Sequence, residues 1–396
     1  MMINSAYRTL PPAFFFTRII DTVNAYQAAH PRQRLLKLGV GDVRGPLSPA
    51  VMEALRRAVG EQGREETFHG YMPETGTDCM KAAVVNYYGQ RGADLSPAEI
   101  FISSGAADDL GALGNLFSPA ARVLVVEPAY PAYVDTSRMA GREIQHLLGT
   151  RENGFLPLPT AELNADLVYL CSPNNPTGTA YTRSQLQQWV DWANERQAVI
   201  LFDAAYEAFV QDEDVPHSIY ELNGAKRCAI EICSLSKTAG FTGMRLGYTV
   251  VPEALVREDC SLRDMWTQDR TTRTNGVSYV LQRAGAAALS PVGQRQNREA
   301  VAVYQENGRI LADALRTAGV YFTGGRNAPY LWLPCPEGLS GWDFFDRLLE
   351  KAQIVVTPGE GFGAGGAGHV RLSCFGSRAD TEEAAQRLLT FFQKEL

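Results

Sequence analysis

Patterns typical of disulfide scaffolds and metal sites are missing from this sequence. Its seven cysteines are scattered from Cys79 to Cys374 without a Cys-x-x-Cys pair, and its five histidines lie far apart. An odd number of dispersed cysteines does not build a disulfide framework, and zinc ligands are usually closely spaced in pairs. We therefore expect neither a disulfide scaffold nor a bound metal.

Long hydrophobic runs and an excess of basic residues are also missing. No stretch reaches the roughly 18 apolar residues of a membrane span. Phe14, Phe15 and Phe16 form too short a run for a signal peptide. The net charge of -7 disfavours nucleic acid or an anionic membrane as the main partner. We expect a cytoplasmic protein that has no nucleic-acid or membrane partner.

A regular alternation of short apolar runs and helical stretches occupies residues 97–250. Nearly continuous apolar strands separated by helices are typical of a mostly parallel sheet that helices cover on both faces. In such α/β sheets, ligands bind beyond the carboxyl ends of the strands. The predicted strands cover residues 99–102, 122–126, 166–170, 198–202 and 228–232.

The length of the chain and a change of pattern near residue 285 predict two domains. A chain of 396 residues exceeds what one hydrophobic core usually organises. Beyond residue 285 strands and helices are mixed, as in a smaller α+β domain. We predict an N-terminal arm and part of the small domain at residues 1–45, a large domain at 46–284 and the small C-terminal domain at 285–396. In the last of these, helices are predicted at 294–317 and 342–352, and strands at 330–333, 354–357 and 369–373.

One glycine-rich segment has the spacing of a dinucleotide-binding fingerprint. Gly361, Gly363 and Gly366 match G-x-G-x-x-G, a motif that follows a strand and opens a helix in nucleotide-binding proteins. Here a predicted strand, beginning at His369, follows the glycines instead of a helix. We interpret residues 361–366 as a flexible loop beside the site.

Lys237 provides the strongest catalytic signal. It follows Ser234 and Ser236, and Arg245 comes eight residues later. A lysine that attacks an aldehyde needs a pKa lowered by burial or by a neighbouring cation. The two hydroxyls and the arginine form a cradle for a phosphate group. Ser-x-Ser-Lys alone equally fits a capped surface lysine, so the combination with Arg245 favours a cofactor site.

Polar side chains also follow two of the predicted strands. Asp203 ends the strand at 198–202, and an acid there can keep a pyridine nitrogen protonated while Tyr206 donates to the ring oxygen of the same cofactor. Pro173 and Pro176 fix a turn that presents Asn175 rigidly. On its own, Asp203 is more typical of a turn or a helix cap.

Two more turns extend this candidate site. Residues 103–108 follow a strand and open a helix, and free amides at a helix N-terminus bind phosphate well. Tyr130 follows the strand at 122–126 and can stack on a cofactor ring. Either feature alone also fits an ordinary turn or a core aromatic residue.

Together these motifs resemble the fold type I pyridoxal-phosphate enzymes, specifically the class I and II aminotransferases, over essentially the whole chain. Within that family the chain looks most similar to the LL-diaminopimelate aminotransferases. The resemblance implies the PLP-dependent transferase fold, pyridoxal 5'-phosphate (PLP) as cofactor, an amino acid and a 2-oxo acid as substrates, and a homodimer with shared active sites. The matching segments are residues 38–42, 70–76, 130–135 and 202–206, with Arg371 in a late strand.

The resemblance also implies residue roles. Lys237 would bond the cofactor aldehyde and later carry the substrate Cα proton, and Asp203 would pair with the pyridine nitrogen. Arg371 would clamp the substrate α-carboxylate near Gly41. The other implied contacts are Asn175 and Tyr206 at the ring oxygen, Tyr130 on the ring, Ser234, Ser236, Arg245 and the amides of Ala106 and Ala107 at the phosphate, Tyr71 and Asn275 from the other subunit, and Phe14, Glu74, Tyr130 and Asn175 near the substrate.

Two positions depart from the LL-diaminopimelate subgroup. Its helix-opening turn usually reads Gly-Ala-Lys, whereas this chain has Ala107 in place of the lysine, and Phe14 stands where a substrate-contacting tyrosine is usual. A buried anion without its partner is costly, so both changes bear on the second carboxylate of the substrate. Glu74 remains and could hold a distal ammonium group.

These observations predict a homodimeric, cytoplasmic aminotransferase with a ping-pong mechanism. LL-diaminopimelate is the favoured donor, and lysine is an alternative. A β-lyase or an amine-oxidising enzyme on the same scaffold is a second alternative, which the products of the half-reaction would separate. A PLP-sensing regulator would add a basic helix-turn-helix domain, for which we find no segment.

Overall fold

The computed structural model describes residues 3–10 and 15–395. Phe14 lies outside these residues. The helices are α1 Phe15–Ala29, α2 Pro49–Gln62, α3 Asp78–Gly89, α4 Ala106–Leu113, α5 Pro131–Met139, α6 Arg183–Arg196, α7 Leu235–Thr238, α8 Leu262–Arg273, α9 Tyr279–Leu289, α10 Pro291–Thr317, α11 Gly341–Ala352 and α12 Arg378–Glu395. The strands are β1 Leu36–Lys37, β2 Ile100–Ser103, β3 Val123–Glu127, β4 Ile144–Leu148, β5 Leu167–Cys171, β6 Val199–Asp203, β7 Ala229–Ser234, β8 Gly247–Val250, β9 Val256–Arg257, β10 Cys260–Ser261, β11 Thr323–Gly324, β12 Tyr330–Pro334, β13 Ile354–Val355, β14 Thr357–Pro358 and β15 His369–Ser373.

A seven-stranded sheet occupies the middle of the chain. Its strand order is β2-β8-β7-β6-β5-β3-β4. Strands β3 to β7 run parallel to one another, while β8 runs antiparallel to both of its neighbours, β2 and β7. The prediction of a mostly parallel α/β sheet is confirmed.

Both faces of the central strands β3, β5 and β6 are buried, which explains their mostly apolar sequences. Successive strand residues point to opposite faces. Val168 and Ile200 join the hydrophobic core on one face, and Leu167 and Leu201 join the core on the other. Burying each such side chain contributes roughly 1.5–3 kcal/mol. Asp203 lies at the end of β6, whereas Glu231, inside β7, is buried and accepts hydrogen bonds from the hydroxyls of Tyr88 and Ser218.

A second sheet with the order β11-β12-β15-β14 lies in the C-terminal part of the chain. Its hydrophobic core includes residues of α10, α11 and α12, together with Ile19 and Val23 of α1. Strand β1 pairs in parallel with β13, with Leu36 opposite Ile354. The N-terminal segment thus packs on the C-terminal part, while the domain boundaries at residues 45 and 284 stay predictions.

Two local predictions need correction. The strand predicted at 354–357 is two short strands, because β13 pairs with β1 whereas β14 pairs with β15. The segment predicted as a loop at 361–366 instead forms two 3-10 turns, Gly359–Phe362 and Ala364–Gly366. The ring of Phe362, at the end of the first turn, is buried and packs on Trp332.

Among residues 3–10 and 15–395, no helix combines the length and the apolar character needed to cross a membrane. The same residues contain no cluster of three or more His, Cys, Asp or Glu side chains suited to a metal ion. All seven cysteines are free thiols.

Candidate active site

The candidate site is a cavity of about 370 Å³ at the carboxyl ends of β5, β6 and β7. It is closed on one side by the N-terminus of α4 and on the other by residues of the C-terminal part. Residues far apart in sequence therefore share one cavity. The predicted site residues that line it are Gly41, Ala106, Ala107, Tyr130, Asn175, Asp203, Tyr206, Ser234, Ser236, Lys237, Arg245 and Arg371.

Three predicted residues do not line this cavity within a single chain. The side chain of Tyr71 is 87% exposed. Asn275 is also exposed, and Glu74 is half-buried. The contribution of Tyr71 and Asn275 to a partner's site stays a prediction, and Phe14 lies outside the described residues.

Asp203 is a buried carboxylate without a basic partner. Its Oδ2 accepts a 2.6 Å hydrogen bond from the hydroxyl of Tyr133, and its Oδ1 accepts one of 3.0 Å from the amide of Ala205. Burial raises the pKa of Asp203, and these two hydrogen bonds oppose the shift. No basic side chain among residues 3–10 and 15–395 takes part in this balance. A buried acid of this kind suits a cationic ring nitrogen.

Lys237 lies in α7 and its Nζ donates a hydrogen bond to the carbonyl oxygen of Gly41. Burial lowers the pKa of Lys237 to about 8. The carboxylate of Asp42 opposes this shift, and the guanidinium groups of Arg371 and Arg245 add to it. About a tenth of this amine is therefore neutral, and hence nucleophilic, at pH 7.

Hydrogen-bond donors converge where α4 begins. Gly105 precedes the helix with a φ of 118°, and a Cβ placed on it would lie 2.7 Å from Nη2 of Arg245. Nη1 of Arg245 lies 3.4 Å from the hydroxyl of Ser236, while Ser234 caps α7 by accepting from the amide of Ser236 at 3.1 Å. A guanidinium, hydroxyls and free helix amides together form an anion site.

Arg371 is a buried guanidinium with unused bonding capacity. It is 2% exposed, donates to Oδ1 of Asn175 at 2.6 Å and to the carbonyl of Gly39 at 2.8 Å, and its Nε has no partner among the described residues. Burial lowers its pKa, and no carboxylate within residues 3–10 and 15–395 offsets this. A substrate carboxylate would supply the missing charge.

Tyr133 and Tyr330 are site residues whose contacts were not predicted from the sequence. The hydroxyl of Tyr330 lies 2.9 Å from that of Tyr206, and a Cβ on Gly41 would lie 2.5 Å from it. Nothing local marks Tyr330, because it belongs to an apolar strand. Tyr133 had a detectable signal, since it follows Tyr130 by three residues at the start of α5. Other lining residues not predicted are Phe16, Val40, Asp42, Leu110, Ala205 and Thr242.

The cavity thus offers groups for each part of pyridoxal phosphate. Lys237 faces it with an amine that can bond an aldehyde, Asp203 with an acid for the pyridine nitrogen, and Arg245 with a cation for the phosphate. Arg371 remains available for a second anion, the carboxylate of a substrate. This set of donors and acceptors fits PLP together with an amino acid.

Comparisons with known proteins agree with this chemistry. The model of the family "Aminotransferase class I and II" matches residues 33–388. The chain is 46% identical to the LL-diaminopimelate aminotransferase of Lachnospira eligens and 47% identical to that of Agathobacter rectalis, each over 98% of both chains. The solved structure of L,L-diaminopimelate aminotransferase from Chlamydomonas reinhardtii matches with a TM-score of 0.94 and 36% identity, covering 99% of each chain. The chain belongs to the class I and II aminotransferases and is a PLP-dependent transaminase.

Proposed function

We propose that this aminotransferase takes the amino group of LL-diaminopimelate and passes it to a 2-oxo acid such as 2-oxoglutarate. The observation that carries the proposal is the identity of 46% and 47%, over 98% of each chain, to two enzymes named for that donor. The buried guanidinium of Arg371 beside Lys237 supports an α-amino acid as the donor in general.

Pyridoxal phosphate, when bound, supplies an aldehyde that takes up the amino group and a ring that accepts the electron pair released at Cα. We assign the transfer of the Cα proton to the amine of Lys237, whose lowered pKa suits a base near neutral pH. We assign Asp203 to hold a proton on the pyridine nitrogen. Tyr133 and the amide of Ala205 orient its carboxylate for that task.

The substrate α-carboxylate would bind Arg371, next to Asn175 and Gly41. Nη1 of Arg371 is already oriented by Asn175, so little side-chain freedom is lost on binding. The phenol of Tyr206, held by Tyr330 at 2.9 Å, and the amide of Asn175 would bond the ring oxygen of the cofactor.

The phosphate would bind where α4 begins, and the cofactor ring would lie against Tyr130. Tyr130 lines the cavity and packs edge-on to Tyr133, with ring centres 5.8 Å apart. The phosphate ligands would be Ser234, Ser236, Arg245 and the amides of Ala106 and Ala107.

A homodimer would complete the site. Tyr71, at 87% exposure, and Asn275 are available to reach the cofactor of a partner, and Glu74 lies three residues after Tyr71. Residues from two chains would then share each cavity. We place the enzyme in the cytoplasm, because seven free thiols suit a reducing compartment.

A donor panel tests this proposal. The purified holoenzyme is mixed with LL-diaminopimelate, lysine, aspartate or glutamate, and the loss of cofactor aldehyde absorbance is followed in single turnovers. We expect the highest kcat/KM with LL-diaminopimelate and recovery of the aldehyde form on addition of 2-oxoglutarate. Equal or better rates with lysine would contradict the donor assignment. Release of ammonia, in place of recovery by 2-oxoglutarate, would identify a lyase or an amine-oxidising enzyme.

A further inference from the structure

Glu127 is a buried carboxylate outside the cavity that contains Lys237. It is the last residue of β3 and only 3% exposed. Its Oε1 lies 2.7 Å from Nδ1 of His146 on the neighbouring edge strand β4, and its Oε2 accepts a 3.1 Å hydrogen bond from the amide of Gly365. One oxygen is thus bound within the large sheet, and the other binds the C-terminal part of the chain. A buried carboxylate is stable only when partnered in this way.

The glycine turn at residues 363–366 lies directly on this carboxylate. Gly363 has a φ of 97°, and a Cβ placed on it would overlap the carboxyl group of Glu127. A Cβ on Gly365 would lie 3.3 Å from the Cβ of Glu127. The amide of Ala129 adds a second link, since it donates to the carbonyl oxygen of Phe362 at 2.9 Å. Of the three glycines of the G-x-G-x-x-G pattern, only Gly363 is required by close approach to this acid. A Cβ on Gly361 would meet the ring of Phe15, and one on Gly366 the carbonyl of Gly359.

The same turn supports the substrate-binding arginine. Phe362, immediately before it, is 1% exposed, and its ring centre lies 4.9 Å from Cζ of Arg371. On the other side, Glu127 lies three residues before Tyr130, which lines the cavity. A shift of the turn would move Phe362, and with it one wall of the pocket that holds the guanidinium of Arg371.

We propose that Glu127 is a positioning residue for this transaminase: it fastens the 363–366 turn to the end of β3 and so holds Phe362 and Arg371 in place for the substrate carboxylate. His146 is the partner that keeps the carboxylate in position. This inference rests on the proposed role of Arg371.

Four variants of the holoenzyme test the contact between Glu127 and the turn at residues 363–366. Glu127→Ala removes both contacts, whereas Glu127→Gln keeps an oxygen that can accept from the amide of Gly365. Gly363→Ala introduces a methyl group that collides with Glu127. Gly368→Ala is the matched control, because Gly368 also has a positive φ, 69°, but its Cβ would meet no atom within 4 Å.

The first measurement is hydrogen exchange at the amide of residue 365. We expect Glu127→Ala to speed this exchange roughly tenfold or more, as expected for loss of a charge-assisted hydrogen bond, and Glu127→Gln to restore most of the protection. An unchanged exchange rate in Glu127→Ala would overturn the claim that Glu127 holds the 363–366 turn in place.

The second measurement is the steady-state kinetics with donor and 2-oxo acid. We expect KM for both substrates to rise roughly tenfold in Glu127→Ala and Gly363→Ala, with kcat and PLP content little changed, because ground-state binding is what the turn supports. Gly368→Ala should behave like the wild type apart from a lower thermal stability. Faster exchange in Glu127→Ala with unchanged KM would overturn the positioning role.

Arg371→Lys is measured beside these variants. If it leaves KM unchanged, the proposed carboxylate site at Arg371 fails, while the exchange result still reports separately on the contact between Glu127 and Gly365. In the double variant Glu127→Ala/Gly363→Ala, the change in the logarithm of KM should be smaller than the sum of the changes in the two single variants. The reason is that the alanine at 127 removes the carboxyl group with which the methyl group at 363 collides. Full additivity would overturn a direct contact between the two positions.

Discussion

The hydroxyl of Tyr133 lies 2.6 Å from Oδ2 of Asp203 and donates a hydrogen bond to it, across 70 residues of sequence. It binds the buried acid at the end of β6 to the first turn of α5. Tyr130 immediately precedes that helix and lines the cavity. The segment that supplies the ring-stacking tyrosine therefore also orients the acid that faces the cofactor nitrogen.

Replacing Tyr133 by phenylalanine should slow the donor half-reaction. The hydrogen bond lowers the pKa of Asp203, so its loss favours the protonated acid. The side chain would also be less well oriented toward the pyridine nitrogen of the cofactor. Removing one charge-assisted hydrogen bond costs about 1.5–3 kcal/mol, or about one to two powers of ten in rate. Stopped-flow absorbance at saturating donor measures this directly.

Tyr169→Phe is the control for that variant. The ring of Tyr169 stacks on that of Tyr133 at 5.1 Å, and it is equally buried, but its hydroxyl does not reach Asp203. We expect a near-normal half-reaction in Tyr169→Phe. Equal rates in the two variants would show that the hydroxyl of Tyr133 does not act on Asp203.

The pKa of Lys237, about 8, predicts how the apoenzyme takes up PLP. Only the neutral amine attacks an aldehyde. Since burial lowers this pKa, the neutral fraction is nearly complete above pH 9 and falls about tenfold per pH unit below pH 7. Uptake of PLP by the apoenzyme, followed by absorbance between pH 6 and 9, should follow that curve. A flat profile would contradict the assignment.

Lys237→Ala provides the companion test. The folded variant should bind PLP without a covalent link and should show no turnover. Borohydride reduction followed by peptide mapping should attach PLP to Lys237 in the wild type and to no residue in the variant. A labelled peptide without Lys237 would disprove its role.

Replacing Ala107 by lysine should increase the preference of the enzyme for LL-diaminopimelate over lysine as donor. It lines the cavity and is exposed at its edge, so a lysine there would reach a distal carboxylate. We expect Ala107→Lys to raise kcat/KM for LL-diaminopimelate by about one to two powers of ten, the value of one charge-assisted hydrogen bond. Lysine as donor lacks that carboxylate and should gain nothing. If the wild type already prefers LL-diaminopimelate by several powers of ten and Ala107→Lys adds nothing, another residue supplies the charge.

Shared active sites predict complementation between two inactive variants. If Tyr71 serves the partner's cavity, a mixed dimer of Tyr71→Ala and Lys237→Ala contains one site with both defects and one site with neither. Random mixing after dissociation should restore about a quarter of the wild-type activity, because half of the dimers are mixed and each has one intact site. No recovery in a mixture shown to contain hybrid dimers would mean that Tyr71 acts within its own chain.

The features read correctly from sequence are those set by short-range rules. Buried parallel strands must be largely apolar on both faces, so β5 and β6 were visible as apolar runs, with Asp203 at the end of β6. Strand β7 departs from this rule, because it contains the buried Glu231. The spacing from Ser234 to Arg245 is likewise local. The two misread segments, 354–357 and 361–366, depend instead on distant partners, since β13 and β14 pair with different strands.

Contacts that span the chain were decided by tertiary packing. The hydrogen bond from Arg371 to Asn175 joins residues 196 positions apart, and Tyr330 meets Tyr206 over 124 positions. Neither pair has a local pattern, because each depends on how the C-terminal part packs on the large sheet. The amino-acid sequence alone was sufficient to predict which chemical groups lie at the strand ends. One hydrogen-bond donor to each of the carboxylates of Asp203 and Glu127, in contrast, depends on tertiary structure. It comes from a segment that is distant in sequence and is brought into place only by packing.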